Sequence, residues 1–571
     1  MDSAWKADCI KKFNALPRKP LAPSGRVPNV WHFDLRYIPL SPPSHMLFLF
    51  QKESQLIAQQ ILPVRMNKFE TGIAYFPDSA KEAALEICFG LMHSFNTAFD
   101  LNKGPGGPVL APYGPWKLTT DDHPLAREVE KQFKALGVKE ERCKVEYANL
   151  TDLAHKQFEL MYKGIKSTLG LPDIARAALH TPSQIAFSSL TPPDPEAWSM
   201  MSPQRSGATP EEMEFEKLSM YAQEFMNNEP LPVDYSYDKD RFSNIGDIFE
   251  NIRGVLSSKS LEQVKKEADA GDAQHAIDAG LRLKYGIKCK PDRNLSRTYL
   301  LKAALNEKAS AQTRSMAHSM LTFWYTAGRE GDVRARYVFA GTYHADEAVR
   351  IASQASPNNK LLASAKVLVF ATNTVKPLTD DLKCPELLIH FKWVVKAMDG
   401  RANFMKLEQL AVEKKMMKNP NRYRCANVGC GIEADTGKML AQCSGKCDPD
   451  KKPSYCGKSC QPKLNIVRIT ILEKEDWKNH KPFCKPGAPC SVIDPTYSTS
   501  GAGSTPGGSI RIPVHHSDGT TSFLSTSTME PEMLKEIREV MRERAPLGDS
   551  SSLKMELHEL DPVTGNYKKC T

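Results

Sequence analysis

"YCGKSCQPKLNIVRITILEKEDWKNHKPFC", Tyr455 to Cys484, carries Cys456 and Cys460 at one end, His480 and Cys484 at the other, and a strand-like apolar run between them. Two more cysteine pairs lie upstream, Cys425 with Cys430 in CANVGC and Cys443 with Cys447 in CSGKC. Half of the chain's 14 cysteines therefore fall between 425 and 484. In a reducing compartment such crowding reads as metal ligation rather than as a disulfide framework. Eight thiol and imidazole ligands make two four-coordinate zinc sites, and neither needs a carboxylate or a water to complete it. Both are expected to be closed, and closed zinc is structural zinc.

The compartment follows from the rest of the chain. The N-terminal stretch MDSAWKADCIKKFNALPRK lacks the apolar core of a secretory leader, and MLFLF and LLASAKVLVFA fall short of the ~20 residues of a membrane span. The expectation is an intracellular protein of the cytoplasm or nucleus, with no membrane contact. A length of 571 residues predicts several units rather than one core. The net charge of +9 is spread over 76 basic and 67 acidic residues with no long basic block, so direct nucleic-acid binding is not demanded.

Working outward from the cysteines, the fold class reads as multidomain: an N-terminal mixed α/β region, a central α-helical repeat-like region, a small double-zinc finger and a short C-terminal α/β tail. Residues 1–180 form the mixed region. One helix is signalled at DSAKEAALEICFGLMHSFNTAF, where Ser79 and Glu82 make a capping-box pattern and Leu85, Cys88, Met92, Phe95 and Phe99 share a face. A second starts at Pro124, with Leu125, Val129, Phe133 and Leu136 together, before the strand-like CKVEYA. The polar TTDDHP ahead of it reads as a helix cap rather than as metal ligands or acid–base groups.

Residues 181–245, rich in proline, serine and threonine, read as a linker. Residues 246–400 read as helical. Within them Ala276, Gly280 and Tyr285 recur in kind at Ala317, Leu321 and Tyr325, an offset of roughly 40 residues, the range of helix-pair arrays. After the cysteines, 489–510 is a flexible link. Residues 511–571 read as a hairpin and a helix, with His515 and His516 in the turn and Met533, Ile537 and Met541 on one helix face.

Two resemblances sharpen this outline. AGDAQHAIDAGLRLKYG with the following YLLKAA resembles tetratricopeptide-like repeats of the Sel type, which implies a curved helical surface that holds another protein. YCGKSCQ, EDWKNHKPFC and the preceding cysteine pairs resemble a MYND-type zinc finger over 420–488. That resemblance implies interleaved sites: Cys425, Cys430, Cys456 and Cys460 on one zinc ion, and Cys443, Cys447, His480 and Cys484 on the other. It also implies a groove for proline-rich peptides lined by Gln461 and Trp477. Pro108, Val109, Leu110, Ala111 and Pro112 form a P-x-L-x-P segment of the type such grooves hold, an internal ligand candidate.

The chain departs from the MYND pattern in two ways. Its first pairs are spaced C-x4-C and C-x3-C, and nineteen residues separate Cys460 from His480 where the family leaves about seven. Removing PKLNIVRITILE, 462–473, restores the family spacing, so this segment reads as a discrete insertion, a real loop or translated intron sequence. Lengthening the loop costs only about 0.9 kcal/mol of closure entropy, far below the ~10–16 kcal/mol that structural zinc binding supplies. The insertion therefore threatens the groove, by parting Gln461 from Trp477, more than the metal. Its NIVRITIL core also reads as an exposed edge strand.

The functional expectation is a non-enzymatic adaptor that joins a proline-rich partner to a second protein. MYND fingers also occur in lysine methyltransferases of the SET class, but the N-H-S-C type strand and post-SET cysteines of those enzymes are missing here. A transcriptional corepressor is the other alternative. The basic run KKMMKNPNRYR before Cys425 is available to it but reads as a solvated helix face.

Overall fold

A computed structural model of the chain describes residues 3–39, 43–64, 75–99, 111–189, 209–235, 245–326, 335–358, 360–380, 384, 386–418, 420–427, 430–434, 440–457, 460, 481–488, 510–515, 521–526, 531–543, 558–560 and 567–569. The chain divides into two compact units. One comprises Met1–Asn228, Arg253–Ala355 and Phe370–Val395, and the other Glu229–Ile252, Ser356–Val369 and Lys396–Thr571.

In the first unit, strand β1 (Val30–Ile38) is VWHFDLRYI, nearly all buried although it alternates apolar with polar residues. Burial on both sides follows from cover on both faces of the sheet. β2 (Ser44–Phe50) and β3 (Ile57–Leu62) continue from β1 as an antiparallel meander, with Phe33 opposite Leu49 and Leu35 opposite Leu47. On the other side β4 (Lys117–Thr120) runs parallel to β1, and β5 (Val145–Tyr147) parallel to β4, giving the order β3-β2-β1-β4-β5. Parallel neighbours need crossovers. Helices α2 (Ala80–Asn96) and α3 (His123–Ala135) occupy the β3-to-β4 and β4-to-β5 connections.

Helix α1 (Ser3–Ala15) packs with those two helices. Trp31 meets Phe95 edge-on at 5.7 Å between ring centroids, and Phe13 stacks on Phe133 at 6.1 Å. The opposite face takes α4 (Thr151–Ser167), whose Phe158 and Tyr162 cover Ile38, Phe48 and Phe50. Asp34 and Arg36 are buried on this side as an ion pair of 2.6 Å, with the guanidinium 4.3 Å above the Phe158 ring.

The capping expectations meet specific geometry. Asp122 accepts from the Leu125 N–H at 2.9 Å, so TTDDHP is a helix cap. Ser79 accepts from the Glu82 N–H at 3.3 Å, but the Glu82 carboxylate reaches the N–H of Asp78 at 2.8 Å rather than that of Ser79. The box is half formed because Asp78 is itself held in place by Arg293 and Tyr337.

That clamp changes the domain map. Arg336 donates to the Pro77 carbonyl at 2.8 Å, Asn294 donates to Glu82 at 2.8 Å, and Phe76 lies against Tyr325 and Tyr337 at centroid distances of 4.9 and 5.0 Å. The mixed region and the helical region expected to be separate thus share one compact unit.

The proposed linker also departs from expectation. Arg36 pairs with Gln184 as an isolated antiparallel bridge, and the Ser188 N–H donates to Asp122 at 3.0 Å. Residues Pro210–Asn228 form a 19-residue helix, α5. Its buried face mixes Leu218, Tyr221 and Ala222 with polar groups that each need a partner. Glu224 meets Lys284 and Tyr285, Tyr221 donates to Asp278 at 2.8 Å, and Ser319 donates to Asn228 at 2.6 Å. Burial of such groups is tolerable only when every partner is present, and hydrophobic periodicity cannot register it.

Helices α6 (Leu261–Asp269), α7 (Ala273–Tyr285), α8 (Arg293–Ala304), α9 (Ala311–Thr326) and α10 (Ala335–Gln354) pack each on the next. Ser260, Asp272 and Asp292 cap α6, α7 and α8, and Gly286 ends α7 at φ 63°, a left-handed conformation suited to glycine. Gly280 sits where α7 crosses α8: a Cβ there would stand 2.9 Å from Leu300, and Ser296 donates to the Gly280 carbonyl at 2.7 Å. Among the described residues no helix is long and apolar enough to cross a membrane.

Candidate metal centres

Within the second unit, β6 (Glu433–Ala434), β7 (Ala441–Gln442) and β8 (Ser454–Tyr455) build the cysteine-bearing module. β7 and β8 pair antiparallel, Ala441 opposite Tyr455 and Gln442 opposite Ser454. Cys443 follows β7 and Cys456 follows β8, so the two cysteines leave opposite ends of one short ribbon. This placement is the physical cause of interleaving, since consecutive cysteine pairs must serve different sites.

The first group joins Cys425, Cys430, Cys456 and Cys460, all buried, with their sulfurs within 4.8 Å of one another. Cys430 to Cys456 is 3.6 Å and Cys456 to Cys460 is 3.7 Å. The second group joins Cys443, Cys447 and Cys484 at sulfur separations of 3.5 to 3.9 Å. A disulfide needs about 2.05 Å, whereas a tetrahedron of sulfurs about 2.3 Å from a zinc ion has edges of about 3.8 Å. Each group can hold a metal ion, and the donor set and spacing suit zinc. His480 lies outside the described residues, as do Gln461, Trp477, the insertion 462–473 and Pro108 to Leu110. Ala111 and Pro112 are described and exposed.

Local backbone chemistry sets the ligand positions. Cys425 donates its N–H to Ile432 at 2.8 Å and Cys443 donates to Pro453 at 2.9 Å, while Cys430 and Cys460 close tight turns onto Asn427 and Gly457. Gly445 is required by space: a Cβ there would collide with the sulfur of Cys484, and its N–H donates to Cys443 at 3.3 Å. Arg424, the end of the basic run, pairs with Glu433 at 2.9 Å.

The C-terminal segment, expected to be a separate accessory element, belongs to this module. β9 (Ile510–His515) pairs with β6, Ile510 opposite Ala434, and with β10 (Thr521–Thr526), His515 opposite Thr521. Helix α12 follows α11 (Lys392–Lys418) in the chain and spans Pro531–Glu543. Ile510, Ile512, Leu524 and Leu534 share one core with Ile432, Leu440, Tyr455 and the cysteines. The face of α12 differs from the expected stripe, because Met533 is exposed while Leu534 is fully buried and Ile537 packs beside it. Leu534 and Ile537, an i, i+3 pair on one side of the helix, meet the core that holds Ile512 and Leu524.

Sequence reading missed the two cations of α12. Lys535 Nζ lies 3.2 Å from the sulfur of Cys460, and Arg538 donates to the Cys430 carbonyl at 3.2 Å. Asn427 Nδ2 also reaches Cys460, at 3.4 Å. Donation from the thiols of Cys425, Cys430 and Cys456 holds the Cys460 thiol far below its ordinary range, and Cys425 and Cys456 likewise bring Cys430 down to about 7. In the second group burial, with Cys484 and Cys443, pushes Cys447 up to about 12. A pattern search had no means to flag a lysine 75 residues from its sulfur.

Compared with models of known protein families, with curated proteins and with solved structures, the chain matches none of them.

Proposed function

We propose that this chain is a zinc-braced, non-catalytic interaction adaptor. The supporting observation is the first cysteine group: four buried sulfurs saturate a tetrahedral ion and leave no position for a substrate or an activated water. Zinc in such a site supplies folding energy rather than chemistry. The second ion takes His480 as its fourth ligand, completing a finger of the MYND type. Gln461 and Trp477 then contact a proline-rich peptide, and the ordered PPII conformation of such peptides lowers the entropy lost on docking.

The helical region supplies a second binding module of the Sel-like kind, and two modules on one chain raise the effective concentration of their partners. Because α5 covers part of α7 and α9, the surface left for a partner lies on other faces of the array. A lysine methyltransferase is the competing class and a corepressor the variant nearest to the adaptor.

The test is calorimetric titration of the full chain, and of a chain lacking 462–473, with P-x-L-x-P peptides, beside a methyl-transfer assay with S-adenosylmethionine. The adaptor reading expects peptide binding, stronger without the insertion, and no methyl transfer. Transfer that is abolished by a substitution outside the finger, or no peptide binding by either chain at millimolar concentration, overturns it.

A further inference from the structure

Four thiolates around a divalent ion leave a site doubly negative, and in a buried core that charge is costly unless donors and cations meet it. The first cysteine group is such a core: all four cysteines are buried, packed with Ile432, Tyr455, Ile512 and Leu534. Among the described residues, one nitrogen donor to its sulfurs comes from the finger itself and one from outside it. The sulfur of Cys460 receives Asn427 Nδ2 at 3.4 Å and the ammonium of Lys535 at 3.2 Å. Lys535 is half-buried on α12, next in sequence to the fully buried Leu534. Arg538, one turn further on, donates to the Cys430 carbonyl at 3.2 Å, so the helix grips the same site at two points.

Resting on the reading of this group as a zinc site, we infer that Lys535 is a positioning residue for the metal: its ammonium donates to the Cys460 sulfur and offsets part of the tetrathiolate charge, so that the C-terminal helix and the ion hold one another in place. Two effects follow. Electron density drawn from Cys460 makes that sulfur a weaker nucleophile toward electrophiles, and the docked helix blocks the approach to it. Loss of the ion takes away the dication that gathers the four sulfurs, so Cys460 is no longer fixed opposite Lys535 and the helix is held less firmly by the metal-free finger. In the second group the backbone N–H of Gly445 donates to the Cys443 sulfur at 3.3 Å.

The experiment uses the full chain in four forms: unchanged, Lys535→Met, Lys535→Arg and Leu534→Ala. Zinc content is measured first by elemental analysis. Zinc release to a chromophoric chelator is then followed in time, and alkylation of Cys460 by N-ethylmaleimide is followed by peptide mass spectrometry. Lys535→Met keeps the length of the side chain and removes its charge, and should speed both release and alkylation of Cys460 by roughly tenfold, the lower end of effects seen for residues behind metal ligands. Lys535→Arg should recover most of the loss. A role in packing alone predicts that Leu534→Ala changes both rates as Lys535→Met does and that Lys535→Arg recovers nothing, and this result overturns the inference. Rates for Lys535→Met equal to those of the unchanged chain overturn it as well. If Lys535→Met retains no zinc, retention by Lys535→Arg supports the inference and loss in both overturns it. A chain that binds no zinc in any form instead defeats the underlying metal reading, and elemental analysis shows this before any rate is measured.

Discussion

At Gly445 the backbone passes so close to the second sulfur group that any side chain would strike Cys484. Gly445→Ala should therefore lower zinc content from about two ions per chain to about one, with Cys425, Cys430, Cys456 and Cys460 still protected from alkylation. Retention of both ions by the variant would show that the loop yields. Cys456→Ser acts on the other group: the first ion should be lost and the finger core loosened, while far-ultraviolet circular dichroism from the helical region is kept. Gly280 poses a similar steric question in a helix. Alanine there gains helix propensity but drives a methyl against Leu300 and the Ser296 carbonyl, and the overpacking should win, with a net loss of roughly 1–3 kcal/mol. A melting temperature equal to or above that of the parent would contradict this balance.

At the scale of elements, the hairpin β9–β10 and helix α12 bury Ile510, Ile512, Leu524 and Leu534 against the finger. A chain ending before residue 510 should expose that face and aggregate, and should release zinc faster than the full chain. Deleting 462–473 should leave zinc content unchanged, since the closure entropy involved is only about 0.9 kcal/mol. The contrast between the two deletions, read by elemental analysis and light scattering, separates a segment that completes a core from one that merely lengthens a loop. A short segment cut to the motif, 420–490, omits this cover and is a poor proxy for the finger.

The largest scale adds a pH dependence. His318 of α9 and His344 of α10 are buried with their Nδ1 atoms 2.9 Å apart. Burial brings His318 down to about 4 and His344 well below the ordinary histidine value. A histidine of this kind binds fewer protons folded than unfolded, so stability rises with pH between about 4 and 6.5 and is lost on acidification through that window. At pH 5 the His318 contribution is on the order of 2 kcal/mol. Asp346, raised to about 6 by burial, acts in the opposite sense and softens the loss. His318→Asn should shrink the difference in urea midpoint between pH 7 and pH 5, and an unchanged difference would remove His318 from the account.

Sequence alone singled out the cysteines that the structure gathers, the helices that begin at Ser79 and Asp122, and the mixed character of the N-terminal region. These are short-range facts: a ligand pair, a cap and a strand each declare themselves within a few residues of one another. Only the tertiary structure placed Asp78 against Arg293, Glu224 against Lys284 and Lys535 against Cys460, pairings that span 215, 60 and 75 residues. Each of those residues reads locally as an ordinary solvated charge. What turns them into clamps is burial beside a partner supplied by another element, and that partner is chosen by how the sheets and helices pack, which no local pattern encodes.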